Sequence, residues 1–350
     1  MAIKASGSQL AFSEIVSEFG DNDTSSLGGY RVRTGGATYP QTFPGDLSFS
    51  SLDTGIPTSG EIKFSDFYSK KLNIVVDFYT GGNELRMPGG GNPISALTRY
   101  NSNSVTIVGG YASRPSNPGG KKVYIHVNKQ IGSDQGFNHR NVALTTGLYD
   151  FATELYVHVG TGGKILGSGG KGGNGGNGGN NNGSNGVDGS SALGLLTAAT
   201  IINKGRIQAG FGGGGGGAGR GQNVRVGKKS SEFRTSSGGG GGGGAGYPPG
   251  AKGFAGTGAN YSSGSDGQSG QSENSVDGGG GGTNAGAGGR SGGSDNTPTS
   301  SNAPNGGNSG GASGGTGGQN GYAIISTGGS SPTITGNAVV GRILTNATPV

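Results

Sequence analysis

Short runs of β-branched and aromatic residues, separated by Gly, Pro and Asn turns, dominate the hydrophobic pattern between residues 81 and 159. Each run has four to six residues, which is the length of a β-strand and too short for a convincing helix. The runs are residues 105–108, 122–127, 141–144 and 154–159. This spacing predicts a β-rich domain over residues 81–159, built as an antiparallel sheet or sandwich.

A different pattern occupies the first 80 residues, where one motif occurs twice. Residues 10–15 and 62–67 share the order apolar, any residue, Phe, Ser, acidic, apolar, 52 residues apart. Each copy predicts a short strand that runs into a serine-capped helix, with the acidic residue at the positive end of the helix dipole. Leu72–Tyr79 follows as a buried strand. We interpret residues 1–80 as a small N-terminal docking module.

Composition separates the last 191 residues from the rest. Of 86 glycines, 65 lie in residues 160–350, whereas 18 of 24 Phe and Tyr residues precede residue 160. The second part therefore cannot be stabilised mainly by burial of apolar side chains.

The glycines are arranged as triplets and runs. Gly-Gly-X occurs four times in residues 169–180, and uninterrupted runs fill residues 212–217, 238–244 and 278–282. A left-handed extended helix has three residues per turn, so glycine at this spacing leaves whole faces without Cβ atoms. Residues 160–350 are thus predicted to form packed polyglycine-II helices whose backbone groups hydrogen-bond sideways.

Two other interpretations of the glycine tracts compete with this one. Collagen requires a sustained Gly-X-Y phase and more than the 13 prolines present. A disordered linker is the usual fate of Gly- and Ser-rich tracts, but strand-like segments interrupt them at residues 199–207 and 321–344. Both segments are predicted to be hairpins, and the second to close the domain.

Charge and cysteine content exclude several classes of protein. The net charge is +6, with 12 Lys and Arg against 6 Asp and Glu in residues 160–350, which suits an acidic partner. No cysteine is present, so thiolate metal sites and cysteine nucleophiles are excluded. No signal peptide or membrane-spanning stretch is evident, and we expect assembly in a cytoplasm.

Candidate catalytic groups are sparse, and the sequence predicts no enzyme, no cofactor and no metal site. His126 and His158 lie on predicted strands and His139 in a turn beside Arg140, where packing or surface roles are expected. Residues 212–217 lack the Gly-Lys-Ser/Thr of a phosphate loop. The Arg-Gly pairs are too few for RNA binding. A glycosidase using Asp266, Glu273 or Asp277 stays open as an alternative.

Five positive charges within 15 residues form the best candidate binding site, beside exposed aromatic residues. Aromatic rings flanked by cations suit carbohydrate and outer-membrane surfaces; the alternative is that the rings cover glycine backbone. The predicted contact residues are Arg220, Arg225, Lys228, Lys229, Phe233, Arg234, Tyr247, Phe254 and Tyr261.

Several of these segments resemble the glycine-rich distal adhesins of T-even-like tailed bacteriophages and related tail proteins of marine cyanophages. The resemblance is carried by residues 6–15 with 60–68, residues 121–133, and residues 201–207 with the terminal Ile-Thr-Gly-Asn at 334–337. It implies a mainly β fold with polyglycine-II helices in a layered sandwich. It also implies receptor contact through variable segments between the glycine runs, here 222–237, 247–254, 259–277 and 283–301.

The predicted function is therefore host attachment by a tail fibre or spike adhesin of a virion. Its predicted partners are other tail proteins, bound through residues 1–80, and a host polysaccharide, lipopolysaccharide or outer-membrane protein. A homotrimer is one possible assembly, and no nucleic acid is expected. A structural tail or baseplate protein without receptor contact and a capsule-degrading tail spike remain as alternatives.

Overall fold

The computed structural model describes residues 3–19, 27, 57, 60–70, 74–78, 85–87, 106–108, 122–133, 138–146, 154–226, 230–270, 303–309, 311–327 and 332–349. These residues are mainly β, with one α-helix, α1 (Phe12–Phe19), and one 3-10 helix (Phe64–Phe67). The strands are β1 (Ile74–Phe78), β2 (Leu85–Met87), β3 (Thr106–Val108), β4 (Lys122–Val127), β5 (Gln130–Ser133), β6 (Val142–Thr145), β7 (Glu154–Val159), β8 (Lys164–Leu166), β9 (Ser191–Leu195), β10 (Thr200–Asn203), β11 (Arg206–Gln208), β12 (Arg220–Arg225), β13 (Ser231–Ser236), β14 (Tyr322–Ser326), β15 (Thr333–Gly336) and β16 (Arg342–Thr345).

Successive strands are distributed in turn over three sheets, so that the chain coils around a common core. Strands β4, β5 and β6 each lie in a different sheet, and β7, β8 and β9 repeat the same order one coil later. The neighbouring strands β4 and β7 therefore run in the same direction, with His126 opposite His158. The prediction of an antiparallel middle domain is wrong, because the chain visits two other sheets before it returns. Among the described strands only β1 with β3 and β12 with β13 are antiparallel.

The core lies inside these coils and receives apolar side chains from all three sheets. Its members include Ile125 and Val157 from one sheet, Ile165 from the second, and Leu193 and Ile324 from the third, all of them fully buried. Burial of each such side chain contributes roughly 1.5–3 kcal/mol. The core includes residues from β4 to β14. Strand β14 therefore belongs to the same core as the earlier strands, although the glycine-rich sequence lies between them along the chain.

Both predicted hairpins of the C-terminal part are wrong. Within residues 201–207, strands β10 and β11 enter different sheets, beside β7 and β8. Within residues 321–344, β14 and β16 are parallel, and β15 joins β10 in another sheet. At the turn glycines in these segments, the chain passes from one sheet to another. It does not fold back beside the preceding strand as in a hairpin.

The glycine-rich sequence enters the coils as two insertions at the same corner. One lies between β8 and β9, and the other between β11 and β14. Together they contain eight extended segments, which we call the glycine lattice: segment 1 (167–178), segment 2 (181–190), segment 3 (209–219), segment 4 (237–246), segment 5 (248–258), segment 6 (262–270), segment 7 (303–307) and segment 8 (312–321). Its proximal end adjoins the coils, and its distal end carries the turns at 178–181, 219–237, 258–262 and 307–312.

Main-chain hydrogen bonds connect the segments at every third residue. The N–H groups of Gly213 and Gly216 in segment 3 donate to the carbonyls of Val187 and Ser184 in segment 2. The N–H of Gly214, the next residue in segment 3, donates to the carbonyl of Gly242 in segment 4 at 2.9 Å. A Cβ at Gly216 would lie 1.9 Å from the carbonyl oxygen of Asn174, so glycine is required there. Backbone contacts replace side-chain packing in this part of the protein.

Side chains at every third residue complete the network at its surface. The Oδ1 atoms of Asn182, Asn185 and Asp188 in segment 2 accept hydrogen bonds from the backbone N–H groups of Ser313, Thr316 and Gln319, at 2.9, 2.9 and 2.7 Å. The Gly-Gly-Asn triplets of segment 1 use the same arrangement, since Oδ1 of Asn174 and of Asn177 accept from the N–H groups of Phe254 and Thr257. Glycine allows close approach inside the lattice, and the third residue supplies an acceptor where the lattice meets solvent.

The two copies of the N-terminal motif pack on each other. Phe12 and Phe64 make an edge-to-face contact with 6.2 Å between ring centroids, and Ile15 and Phe67 are fully buried beside them. The predicted serine caps are wrong, because each serine lies within its helix. The acidic residues perform the capping instead: Glu14 accepts from the N–H of Ala11, and Asp66 from that of Lys63, both at 2.7 Å.

Candidate functional site

A two-stranded hairpin, β12 and β13, projects from the distal end of the glycine lattice between segments 3 and 4. Its strands pair in register from Arg220 opposite Ser236 to Arg225 opposite Ser231. At its base, the N–H of Gly221 donates to Oδ1 of Asn180 in the neighbouring turn at 2.7 Å. The hairpin is thus attached to the lattice on the side of segment 1.

The other strand of the hairpin, β13, is fastened to the turn between segments 5 and 6 by Asn260, a residue of that turn. Its Oδ1 accepts from the backbone N–H and the hydroxyl of Thr235, at 2.6 and 3.0 Å. Its Nδ2 donates to the carbonyl of Phe233 at 3.0 Å, and its own N–H donates to Thr235 Oγ1 at 2.9 Å. Four hydrogen bonds through one asparagine hold two distal loops as a unit.

Two exposed aromatic side chains and a half-buried arginine lie next to this clamp. Phe233 is 51% exposed and Tyr261 64% exposed. The guanidinium of Arg234 lies over the ring of Tyr261, 4.6 Å from its centroid, and 3.3 Å from Glu232. The ring of Phe233 lies against Gly221, where a Cβ would come within 2.7 Å of Cζ. Phe233 and Arg234 are adjacent in β13, so their side chains lie on opposite faces of the hairpin. We call Phe233, Arg234 and Tyr261 together the distal patch.

The structure brings together some of the predicted contact residues. Arg220 is exposed at the base of the same hairpin as the distal patch, and Arg225 ends strand β12. Lys228 and Lys229 lie outside the described residues, as does the whole predicted segment 283–301.

Three residues that position the distal loops were not predicted from the sequence. They are Asn180, Thr235 and Asn260, which hold the hairpin through the hydrogen bonds described above. Gly258, with φ +72°, stands just before the turn that carries Asn260 and is the local sign of that turn.

Tyr247 was predicted to be exposed, and this is wrong. It is buried at the proximal end of the lattice, where its carbonyl accepts from the N–H of Ser133 at 3.3 Å. Gly132 provides the space, because a Cβ there would come within 2.4 Å of the Tyr247 ring. The predicted segment 247–254 therefore starts at the end opposite to the distal patch.

Phe254 is exposed, as predicted, but lies on the flank of the lattice. Its side chain is 51% exposed, and its backbone belongs to segment 5, four residues before Gly258. The ammonium groups of Lys171 and Lys252 lie 5.7 and 5.6 Å from its ring centroid. Phe254 is therefore part of a separate surface.

Two of the three histidines are packed in the interior. His126 and His158 are buried and stack with 5.3 Å between ring centroids. His139 lies 3.3 Å from Asp188 at the base of the lattice. Of the carboxylates considered for glycoside hydrolysis, Asp266 is engaged by Lys252 and the N–H of Ala255. Glu273 and Asp277 lie outside the described residues.

Taken over the described ranges, no group of three or more His, Asp or Glu residues could hold a metal ion. The same ranges contain no helix of the length and apolarity needed to cross a membrane. A frame of hydrogen-bonded segments that presents aromatic and cationic side chains on clamped loops has the architecture of a surface-binding protein.

Sequence comparison gives this class a family. The chain belongs to the Gp38 family of phage tail fibre adhesins, whose sequence model matches residues 94–344. The protein is therefore a receptor-binding adhesin of a phage tail fibre. No curated protein sequence matches the chain significantly.

One solved structure is similar over most of its length. A chain from the crystal structure of the gp37-gp38 adhesin tip complex of the bacteriophage S16 long tail fiber is 16% identical. The alignment covers 98% of this chain and 100% of that one, with a TM-score of 0.35. So low a score adds no support to the assignment.

Proposed function

We propose that the distal end of the glycine lattice is the surface with which this adhesin attaches the virion to its host receptor. The observation that carries the proposal is the distal patch, in which Phe233 and Tyr261 are more than half exposed on loops fixed by Asn260. Aromatic side chains are enriched at binding surfaces. Rings on an already ordered loop lose little conformational entropy on binding.

The lattice itself is proposed to be a bundle of polyglycine-II helices. Hydrogen bonds at every third residue support this, since such a helix has three residues per turn. Segment 3 is bonded to segments 1, 2, 4, 7 and 8, which is the arrangement of a helix inside a bundle. So many lateral bonds compensate for the high entropic cost of ordering glycine.

Attachment to the rest of the fibre is assigned to the N-terminal module, residues 1–80. The small core around Ile15 and Phe67, with its own capped helices, supports a separate unit at the opposite end of the sequence from the glycine lattice. Its partner would be another tail fibre protein, within a monomeric or a trimeric assembly.

A binding role without catalysis is favoured over glycoside hydrolysis. The carboxylate of Asp266 accepts hydrogen bonds from Ala255 N–H and Lys252 Nζ, which lower its pKa below the ordinary value. A general acid needs a raised pKa, so Asp266 does not suit that role.

The test uses phage particles that carry the variant Phe233→Ser with Tyr261→Ser. We expect adsorption to susceptible cells to slow by about tenfold or more, since loss of two aromatic anchors costs upwards of about 2 kcal/mol. Ile343→Ser, at a residue 37% exposed on β16, is the control for a lost surface hydrophobe. Unchanged adsorption of the double variant would assign receptor binding to another surface.

A further inference from the structure

The flank of the glycine lattice between segments 1 and 5 carries a row of hydrogen-bond donors. Oδ1 of Asn174 accepts from the N–H of Phe254 at 3.0 Å, and Oδ1 of Asn177 accepts from that of Thr257 at 2.9 Å. Only the oxygen of an asparagine amide can accept a hydrogen bond from a backbone N–H, and this fixes the orientation of both side chains. Both asparagines are exposed, and within the described residues their NH2 groups make no hydrogen bond.

Lysine extends this row. Lys171 precedes Asn174 by three residues in segment 1, is exposed, and has no ion pair among the residues that the structure describes. Lys252 in segment 5 forms an ion pair with Asp266 at 2.9 Å. Ammonium and amide NH2 groups are donors, while the Asn174 and Asn177 oxygens are occupied by the backbone. This surface can therefore donate several hydrogen bonds, and its ligand must supply the acceptors.

An aromatic ring adjoins the donors. Phe254 is 51% exposed and lies within 5.7 Å of both lysine ammonium groups, measured from its centroid. A flat apolar ring beside cations and amides matches a ligand that has C–H faces, oxygen acceptors and negative charge. Sugars with carboxylate groups have all three, and a linear chain of them can follow a row of side chains at three-residue spacing.

We propose that Lys171, Asn174, Asn177, Lys252 and Phe254 form a binding site for an acidic polysaccharide, separate from the distal patch. Lys171 pairs with a carboxylate, Lys252 offers the donors left by its ion pair with Asp266, the asparagine NH2 groups donate to hydroxyl and carboxylate oxygens, and Phe254 packs against a sugar ring. The site lies along the side of the lattice, so a surface glycan can be held there while the distal loops remain free. It does not depend on the proposed receptor role of the distal patch.

The test is a titration of the full chain with an oligogalacturonate, with a neutral maltooligosaccharide of equal length as the comparison ligand. The variant Asn174→Asp with Asn177→Asp keeps the oxygens that the backbone needs and replaces the donors with negative charge. We expect it to weaken oligogalacturonate binding by about tenfold or more, since hydrogen bonds to charged groups are each worth about tenfold or more in affinity.

A matched control exists in segment 7 and the turn that follows it. Asn305 and Asn308 are also three residues apart, and their Oδ1 atoms accept from the N–H groups of Gly317 and Gly314 at 3.0 and 2.9 Å. Asn305→Asp with Asn308→Asp therefore makes the same charge change on a segment that is not bonded to segment 1.

The proposal requires that the control variant and Phe233→Ser bind oligogalacturonate within about twofold of the unmodified protein, which is ordinary scatter for remote surface changes. It also requires that Phe254→Ala binds less tightly while its melting temperature is retained. Equal losses in both double variants would mean that only net charge matters, and would overturn it. So would equal affinity for the neutral oligosaccharide, or a Phe254→Ala variant that changes melting alone.

Discussion

Asn185 and Thr316 are 131 residues apart in the sequence, yet the side-chain Oδ1 of Asn185 accepts a 2.9 Å hydrogen bond from the backbone N–H of Thr316. The same offset joins Asn182 to Ser313 and Asp188 to Gln319. These bonds fix the register between segments 2 and 8, which belong to the two different insertions.

Replacement of Asn185 by Leu should therefore destabilise the lattice. Leucine has a similar size but no acceptor, so we expect the free energy of unfolding to fall by about 1 kcal/mol. Asn185→Asp keeps the acceptor and should lose less. Chemical denaturation of both variants checks this, and equal losses would show that the bond does not stabilise the fold.

Gly216→Ala should have a much larger effect. Its Cβ would lie 1.9 Å from the carbonyl oxygen of Asn174, and neither backbone can move without breaking neighbouring bonds. We expect destabilisation of more than about 3 kcal/mol, above the usual range for overpacking.

Gly311→Ala provides the comparison for that change. Gly311 has φ +88°, and an added Cβ would have nothing within 4 Å, so only backbone strain of about 1–2 kcal/mol is expected. In thermal unfolding, the melting temperature of Gly216→Ala should be well below that of Gly311→Ala. The reverse order would contradict close packing around segment 3.

Asn260→Ala should release the distal hairpin while the lattice stays folded. The variant loses its three side-chain bonds to Thr235 and Phe233 but none of the bonds between glycine segments. Hydrogen exchange at residues 221–236 should become faster, and exchange of Gly213 and Gly216 should stay slow. If both regions exchange faster together, the clamp is part of the lattice and not a separate device.

The ion pair of Asp266 should make the flank sensitive to acid. Hydrogen bonds from Ala255 N–H and from Lys252 lower the pKa of Asp266 in the folded protein. The resulting stabilisation is present above the unfolded pKa of about 4 and is lost as the pH falls through the lower folded value.

A carboxyl titration followed by NMR tests this directly. An unperturbed aspartate has a titration midpoint near about pH 4. The midpoint of the Asp266 signal should lie below that value. In Lys252→Gln, which keeps the Ala255 bond, the midpoint should rise part of the way toward the ordinary value. An unshifted midpoint in the unmodified protein would contradict the pairing.

Much of the local structure follows from the sequence. The strands over residues 122–127 and 154–159 agree with β4 and β7, because β-branched residues alternate there between two sides of a sheet. The direction of pairing does not follow, since alternation is the same in parallel and antiparallel sheets. Direction depends on the chain between strands, and the coil from β4 to β7 passes through β5, which is not one of the predicted runs, and β6, which is.

The candidate site was less accessible to sequence reasoning. Phe233 and Tyr261 could be predicted as exposed, because a glycine backbone has no pocket for them. The burial of Tyr247 could not, since it depends on Gly132, more than a hundred residues earlier. Nor could the role of Asn260, whose four bonds arise only when strand β13 meets the turn between segments 5 and 6.

The three-residue spacing of the hydrogen bonds between glycine segments restricts how this protein can change in length. A single inserted residue at the start of segment 1 would rotate Lys171 into the position of Gly172 and Asn174 into that of Gly175, where backbone leaves no space. Insertion of a full triplet into each of two antiparallel neighbours restores the contacts between those two segments and moves the turn that joins them outward by about 9 Å. The reach of the adhesin from the coils can thus evolve in discrete steps, whereas its distal loops can vary one residue at a time.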